Sequence, residues 1–221
     1  MVERIIGNDE VESPILFSGT ILNLESMRYF LITICLLFLS SCSAKYVELG
    51  NSKSSTKWVY LCGLTDSFDS KTEVKHREIL DNLGHEFNIR FIALVPKHRC
   101  EKFSNKMCWP QKEAEDRLKT FKSIKRTIRN KKIDGWIGFS NGGYFLLEAL
   151  KDKHVAKPII TVGAPGTLNS TEQVYIMVGN KDDYAYERVK TLSYDFIEYE
   201  GGHEIDEKSL RGLLKKIHDE K

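Results

Sequence analysis

A serine framed by two glycines, Gly138-Phe139-Ser140-Asn141-Gly142, sits where an apolar strand-like run at 133–139 gives way to a helix-like run at 144–150. A G-x-S-x-G pentapeptide at such a junction marks a sharp turn that lifts a serine hydroxyl above the end of a sheet. The turn strains the serine backbone and leaves little room beside it, so Gly138 and Gly142 supply space that side chains would fill. Strand, turn and helix are therefore set together, and Ser140 becomes the first candidate nucleophile. Its alternative reading is an ordinary turn serine.

Further strand-like runs follow at 158–162 and 173–178, the second leading into Gly179-Asn180-Lys181-Asp182. Another, at 193–199, leads into Glu200-Gly201-Gly202-His203. An acid after one strand and a histidine after the next give the chain order Ser, Asp, His. Asp183 competes with Asp182 for the role of the acid. Of the six histidines, His76, His85, His98, His154 and His218 lie in charged or loop contexts that suggest surface positions. His203 alone follows a late strand and precedes a terminal helix.

On these residues the region 57–221 resembles a small α/β-hydrolase. The resemblance rests on the elbow around Ser140, the G-x-x-D turn ending at Asp182, and the Gly202-His203 pair. It rests also on Val59-Tyr60-Leu61-Cys62-Gly63-Leu64, similar to the family's first core strand and the His-Gly turn after it. Cys62 stands where many members have histidine, but the turn contributes a backbone amide that any non-proline residue can supply. The resemblance implies a Ser140, His203, Asp182 triad acting on an acyl carbonyl. It also implies an oxyanion hole made by the backbone N–H groups of Leu64 and Asn141.

The amino-terminal part carries a second message. Met27-Arg28 precedes an apolar stretch at 29–39 and then Ser40-Ser41-Cys42. A basic start, an apolar run too short to span a bilayer and small residues before a cleavage point describe a signal peptide at 27–41. The ending Leu39-Ser40-Ser41-Cys42 resembles a bacterial lipobox, which implies lipid on the Cys42 thiol and a membrane anchor. Residues 1–26 hold five acids against Arg4 alone, the wrong sign for a leader, and read as a misassigned start or a disordered leader. Residues 42–56 read as a tether. Ser43 gives no aspartate-type retention signal, which leans the anchor toward an outer membrane of the cell envelope.

Five cysteines fit export: Cys35 leaves with the signal, Cys42 carries lipid and Cys62 is buried at a strand end. Cys100 and Cys108 remain, and an oxidising compartment would let them pair; two reduced thiols are the alternative. A formal net charge of +2 argues against a dedicated nucleic-acid surface. With no Walker loop, His-Glu-x-x-His or Cys-x-x-Cys pattern, no cofactor or metal is expected. The nine lysines and arginines at 112–132 read as a solvated helix face rather than a lipid-binding one.

Elsewhere strands at 57–61 and 89–95 alternate with helices at 70–83 and 112–130. Helix 70–83 is opened by a Ser70-x-x-Glu73 capping box and closed by Gly84. Helix 112–130 places Ala114, Leu118, Phe121, Ile124 and Ile128 at steps of three and four. A last helix carries Leu210, Leu213, Leu214 and Ile217 on one face. Alternation of this kind predicts a mostly parallel α/β sheet of about six core strands, helices on both faces, and no large cap domain.

Ligands of open α/β sheets lie beyond the carboxyl ends of the strands, so the loop 96–111 should border the site. There Phe103, Met107 and Trp109 are expected to wall the acyl group, with Tyr184 on another rim. The function expected is a membrane-tethered serine hydrolase acting on small-molecule carboxylic esters through an acyl-enzyme. The same triad also serves thioesterases, peptidases and acyltransferases. An inactive envelope protein using the fold as a binding scaffold is the alternative, and the oligomeric state is not specified by the sequence.

Overall fold

Apolar runs buried on both faces need cover on both sides, and in the computed structural model the sheet receives it. The structure describes residues 46–65, 67, 69–101, 105–129, 131–155, 158–167, 173–192 and 194–220. Its strands are β1 (Tyr46–Gly50), β2 (Lys57–Leu61), β3 (Arg90–Leu94), β4 (His98–Arg99), β5 (Met107–Cys108), β6 (Gly135–Phe139), β7 (Ile159–Val162), β8 (Val174–Gly179) and β9 (Ile197–Tyr199). Its helices are α1 (Lys71–Glu86), α2 (Ala114–Thr127), α3 (Asn141–Lys151), α4 (Asp183–Lys190) and α5 (Glu207–Asp219).

Seven strands form the main sheet in the order β1-β3-β2-β6-β7-β8-β9, and β4 with β5 makes a small separate hairpin. All main-sheet pairings are parallel except β1 with β3, where Tyr46 faces Leu94 and Gly50 faces Arg90. The antiparallel edge strand exceeds the six expected and lies inside the stretch 42–56 read as a tether. Its alternation is short and polar, so the sequence signal was weak. Pairing with β3 is what orders it.

Side chains alternate across each strand. Trp58 and Tyr60 pack with Leu80 and Leu83 of α1 and with Leu210 and Leu214 of α5. Val59 and Leu61 pack with Phe121 and Ile124 of α2 and with Phe145 and Leu146 of α3. Each large side chain so buried contributes roughly 1.5–3 kcal/mol relative to exposure. On the same side of β8 as Val174, Ile176 and Val178 meet Ala185 and Val189 of α4.

Ser70 caps α1 by accepting the Glu73 N–H at 3.4 Å, but the Glu73 side chain turns into the core instead of completing the reciprocal bond. Gly84 does not end the helix. It lies inside α1 with its Cα against Gly50 of β1, where an added Cβ would sit 2.6 Å from the Gly50 Cα. The stop comes at Asn88, whose φ of 53° turns the chain while Ile89 N–H donates to Gly84 O at 2.8 Å. Helix α2 is shorter than 112–130, with Phe121, Ile124 and Ile128 buried and Ala114 left exposed.

Candidate active site

The carboxyl ends of β2, β6, β8 and β9 open on one edge of the sheet, and the residues singled out in the sequence follow those ends. Ser140 comes directly after β6 with φ 49° and ψ −118°, a conformation that costs a non-glycine residue about 1–3 kcal/mol. It is held there by its N–H donating to Val162 O at 2.8 Å and its carbonyl accepting the Tyr144 N–H at 3.1 Å. Ser140 occupies the N-cap position of α3, yet its hydroxyl makes no capping bond. A serine there ordinarily spends its oxygen on the helix; this one leaves it free above the sheet.

Asp182 caps α4 with one carboxylate oxygen, Oδ1, which accepts the Ala185 N–H at 3.3 Å. The other oxygen, Oδ2, lies 2.5 Å from Nδ1 of His203. A carboxylate can only accept, so Nδ1 carries the proton in this pair and Nε2 keeps its lone pair. Asp182 is buried and in contact with His203, whereas Asp183 is exposed. The imidazole packs 4.9 Å from the ring of Phe139, the residue before the serine. Among the described residues the Ser140 hydroxyl forms no hydrogen bond; catalytic bonds often tighten only when substrate arrives.

Gly163 follows β7, in the turn 163–166 whose place after a strand suggests part of the rim, and it lies against the Asp182–His203 pair. Its φ is 62°, and a Cβ there would sit 2.8 Å from the His203 ring and 3.3 Å from Asp182 Oδ2. Only glycine accepts both the backbone and the approach.

The turn after β2 lies beside the nucleophile: a Cβ on Gly63 would be 3.2 Å from the Ser140 Cβ. Gly142 backs onto the same strand end, its missing Cβ falling 2.5 Å from Cys62 O. Asn141 begins α3, where the first N–H groups have no intrahelical acceptor. Its side chain is engaged elsewhere, accepting the Trp109 N–H at Oδ1 at 2.6 Å and donating from Nδ2 to Trp109 O at 3.4 Å.

Trp109 departs from the expected pocket wall. It is 4% exposed, packs 5.6 Å from Phe145, and donates its indole N–H to Cys62 O at 2.9 Å. An indole with a satisfied N–H is a core anchor. Met107 is half-buried and pairs through its backbone with Thr65, next to Leu64. Leu64 and Tyr184 are both exposed. Phe103 and Cys42 lie outside the described residues. Cys100 and Cys108 are disulfide-bonded with Cα atoms 5.5 Å apart, joining the hairpin that ends at Trp109.

His76 is not on the surface. It is fully buried, 4.4 Å from the Phe139 ring, with Nδ1 3.1 Å from the Tyr60 hydroxyl and Nε2 accepting the Ile205 N–H at 3.3 Å. Tyr60 in turn bonds Glu73 at 3.2 Å. Burial pushes the Glu73 carboxyl up to about 7, while the Tyr60 hydroxyl, the Gly63 N–H and Arg77 pull it down. Burial holds His76 down at about 4. The i,i+3 spacing of Glu73 and His76, on the α1 face that carries Leu80 and Leu83, was the available signal for this cluster.

A cavity of about 730 Å³ opens among Val174, Tyr194, Phe196 and Leu213, at the amino-terminal ends of β8 and β9 and so away from these groups. Among the described residues no cluster of three or more His, Cys, Asp or Glu could hold a metal ion, and no helix is long and apolar enough to cross a membrane.

No protein-family profile matches the sequence, and no curated protein matches it. Solved structures do resemble it. The structure of YahD with malic acid has a TM-score of 0.55 at 12% identity, covering 80% of this chain and 100% of that one. Acyl-protein thioesterase 2 of Zea mays has a TM-score of 0.53 at 15% identity, covering 80% and 98%. An alpha-beta serine hydrolase homologue from Coxiella burnetii has a TM-score of 0.50 at 18% identity, covering 78% and 90%. The chain has the α/β-hydrolase fold, with no insertion of domain size between α3 and β8.

Proposed function

We propose that this chain is a serine hydrolase that cleaves carboxylic esters through an acyl-enzyme intermediate. The observation that carries the reading is the Ser140 turn: a strained N-cap serine whose hydroxyl caps nothing, directly after Phe139, whose ring packs 4.9 Å from an imidazole held by a buried carboxylate. Ser140 Oγ attacks the acyl carbon as His203 Nε2 takes its proton, and Asp182 stabilises the imidazolium. The developing oxyanion is met by the N–H groups of Asn141 and Leu64, where each donor lowers the barrier by about 2.7–4 kcal/mol. His203 then protonates the departing alcohol, and water releases the acyl group by the reverse sequence.

With no insertion of domain size between α3 and β8, the site suits small or flexible acyl groups, with the exposed Leu64 and Tyr184 as apolar rims. Turnover of p-nitrophenyl acetate and longer esters by the full chain tests the reading. Activity that disappears in Ser140→Ala and His203→Ala supports it; activity retained by Ser140→Ala overturns it. The proposal includes lipidation at Cys42 and attachment to the cell envelope, supported by the Leu39-Ser40-Ser41-Cys42 pattern. A Cys42→Ser chain should leave the membrane fraction; unchanged membrane attachment would remove the anchor from the account.

A further inference from the structure

The chain enters the sheet from the edge that carries the catalytic groups. β1 runs antiparallel to β3, so its first residue, Tyr46, faces Leu94 at the carboxyl end of β3, level with Leu61 of β2. That is the edge on which Ser140, Asp182 and His203 follow their strands. In the sequence only Ser43, Ala44 and Lys45 separate Tyr46 from Cys42. Four residue steps reach at most about 14 Å. The fold is deeper than that: α1, which leads from the carboxyl end of β2 back to the start of β3, has 16 residues and spans about 24 Å. A lipid on Cys42 therefore keeps the catalytic edge beside the bilayer, and the opposite edge cannot be turned toward it.

A second observation is independent of the anchor. Among the described residues three large hydrophobic side chains stand exposed, Tyr46, Leu64 and Tyr184. Exposed apolar residues scattered over a surface need no explanation, but all three of these lie on the carboxyl edge. Tyr46 opens β1, Leu64 is in the turn after β2, and Tyr184 is in the first turn of α4, after β8. In the sheet order they span five strand spacings, about 24 Å, and β6, which delivers Ser140, lies between Leu64 and Tyr184. The turns at the opposite edge hold polar Asn51, Lys53, Asn88, Lys132 and Asp134. Tyrosine suits the boundary between lipid and water, with an apolar ring and a polar tip.

We propose that the carboxyl edge of the sheet docks on a lipid bilayer through Tyr46, Leu64 and Tyr184, and that Ser140 draws its ester substrates from the bilayer surface. The inference rests on the hydrolase reading and on the Cys42 anchor. Short tether and apolar edge act together: the lipid holds the chain at the surface, and the three side chains set which way it faces. The substrate class is then an ester whose acyl chain partitions into lipid, with its carbonyl at the level of the headgroups.

The test places the full lipid-bearing chain on phosphatidylcholine vesicles and compares it with the soluble Cys42→Ser chain. Hydrogen exchange on the vesicles should slow at residues 63–65, 96–98 and 183–184 and stay unchanged at 51–56 and 131–134. Turnover of p-nitrophenyl palmitate carried in the same vesicles is then compared with that of p-nitrophenyl acetate in the water. About 20 glycine and serine residues inserted between Ala44 and Lys45 should lower the palmitate rate about tenfold, as the effective concentration at the surface falls, with the acetate rate unchanged. Slowed exchange at the opposite edge, equal exchange at both, or a palmitate rate indifferent to the insertion would overturn the docking. A chain that carries no lipid would overturn it together with the anchor, while acetate turnover keeps the hydrolase standing. Slowed exchange at the carboxyl edge of a chain inactive on both esters would overturn the hydrolase reading and the substrate assignment and leave the docking in place.

Discussion

Asp182 divides its carboxylate between two tasks: Oδ1 caps α4 through the Ala185 N–H, and Oδ2 lies 2.5 Å from Nδ1 of His203. The cap fixes the rotamer that presents Oδ2 to the imidazole, so local helix chemistry sets the tautomer of His203. Asp182→Asn can still cap but can turn its amide to the ring, inverting the tautomer. A fall in kcat of roughly 10,000-fold is expected, with Asp183→Asn unchanged. Steady-state kinetics on the two variants checks this, and equal losses in both would contradict it.

Gly163→Ala should disable the site from a distance of one residue layer. The Cβ would meet the His203 ring at 2.8 Å on a backbone with φ 62°. Backbone strain costs about 1–3 kcal/mol, and a displaced imidazole costs on the order of 100-fold in kcat. Urea unfolding with ester kinetics measures both, and a variant with wild-type turnover would contradict the assigned contact.

Glu73 and His76 give stability opposite pH dependences. Burial raises Glu73 from 4.5 to about 7, against Tyr60, Gly63 and Arg77. Burial lowers His76 from 6.5 to about 4, with Lys75 and His203 adding to the fall and Glu204 opposing it. The Glu73 contribution is full below pH 4.5 and lost as pH rises to 7; that of His76 is full above pH 6.5 and lost as pH falls to 4. Between 4.5 and 6.5 the slopes cancel. Glu73→Gln should therefore gain stability with rising pH, and His76→Gln should lose it, each by roughly 3 kcal/mol across its window. Denaturant titrations from pH 4 to 8 that run parallel to wild type would contradict the pair.

Reduction should loosen the site as well as the fold. The bond between Cys100 and Cys108, eight residues apart, closes the hairpin whose β5 pairs with Thr65 and leads into Trp109. Loop closure of this length is worth about 2–3 kcal/mol. A reductant should lower the Tm and kcat of wild type but leave a Cys100→Ser, Cys108→Ser variant unaffected. Identical melting of oxidised and reduced protein would contradict this.

The elements along the chain were legible wherever burial repeats with a period. Phe121, Ile124 and Ile128 marked α2, and the apolar runs at β6 and β8 marked buried parallel strands. What escaped was decided by contacts between distant segments. Gly84 has the spacing of a helix stop, but the approach of Gly50 gives it a packing role. Trp109 sits in a polar loop, and its indole bond to the Cys62 carbonyl holds it inward. His76 has charged neighbours in sequence, while its own face of α1 lies against Phe139. Ser140, Asp182 and His203 were legible because each follows a strand end in a short, glycine-marked turn.

The central claim is that Ser140 is an activated nucleophile. The most direct measurement is the intact mass of the full chain after exposure to a fluorophosphonate, with peptide mapping of the adduct. The account predicts one adduct, on Ser140, formed rapidly in wild type, absent in Ser140→Ala and strongly slowed in His203→Ala. A folded wild-type protein that takes up no label, or carries it on another residue, would contradict it.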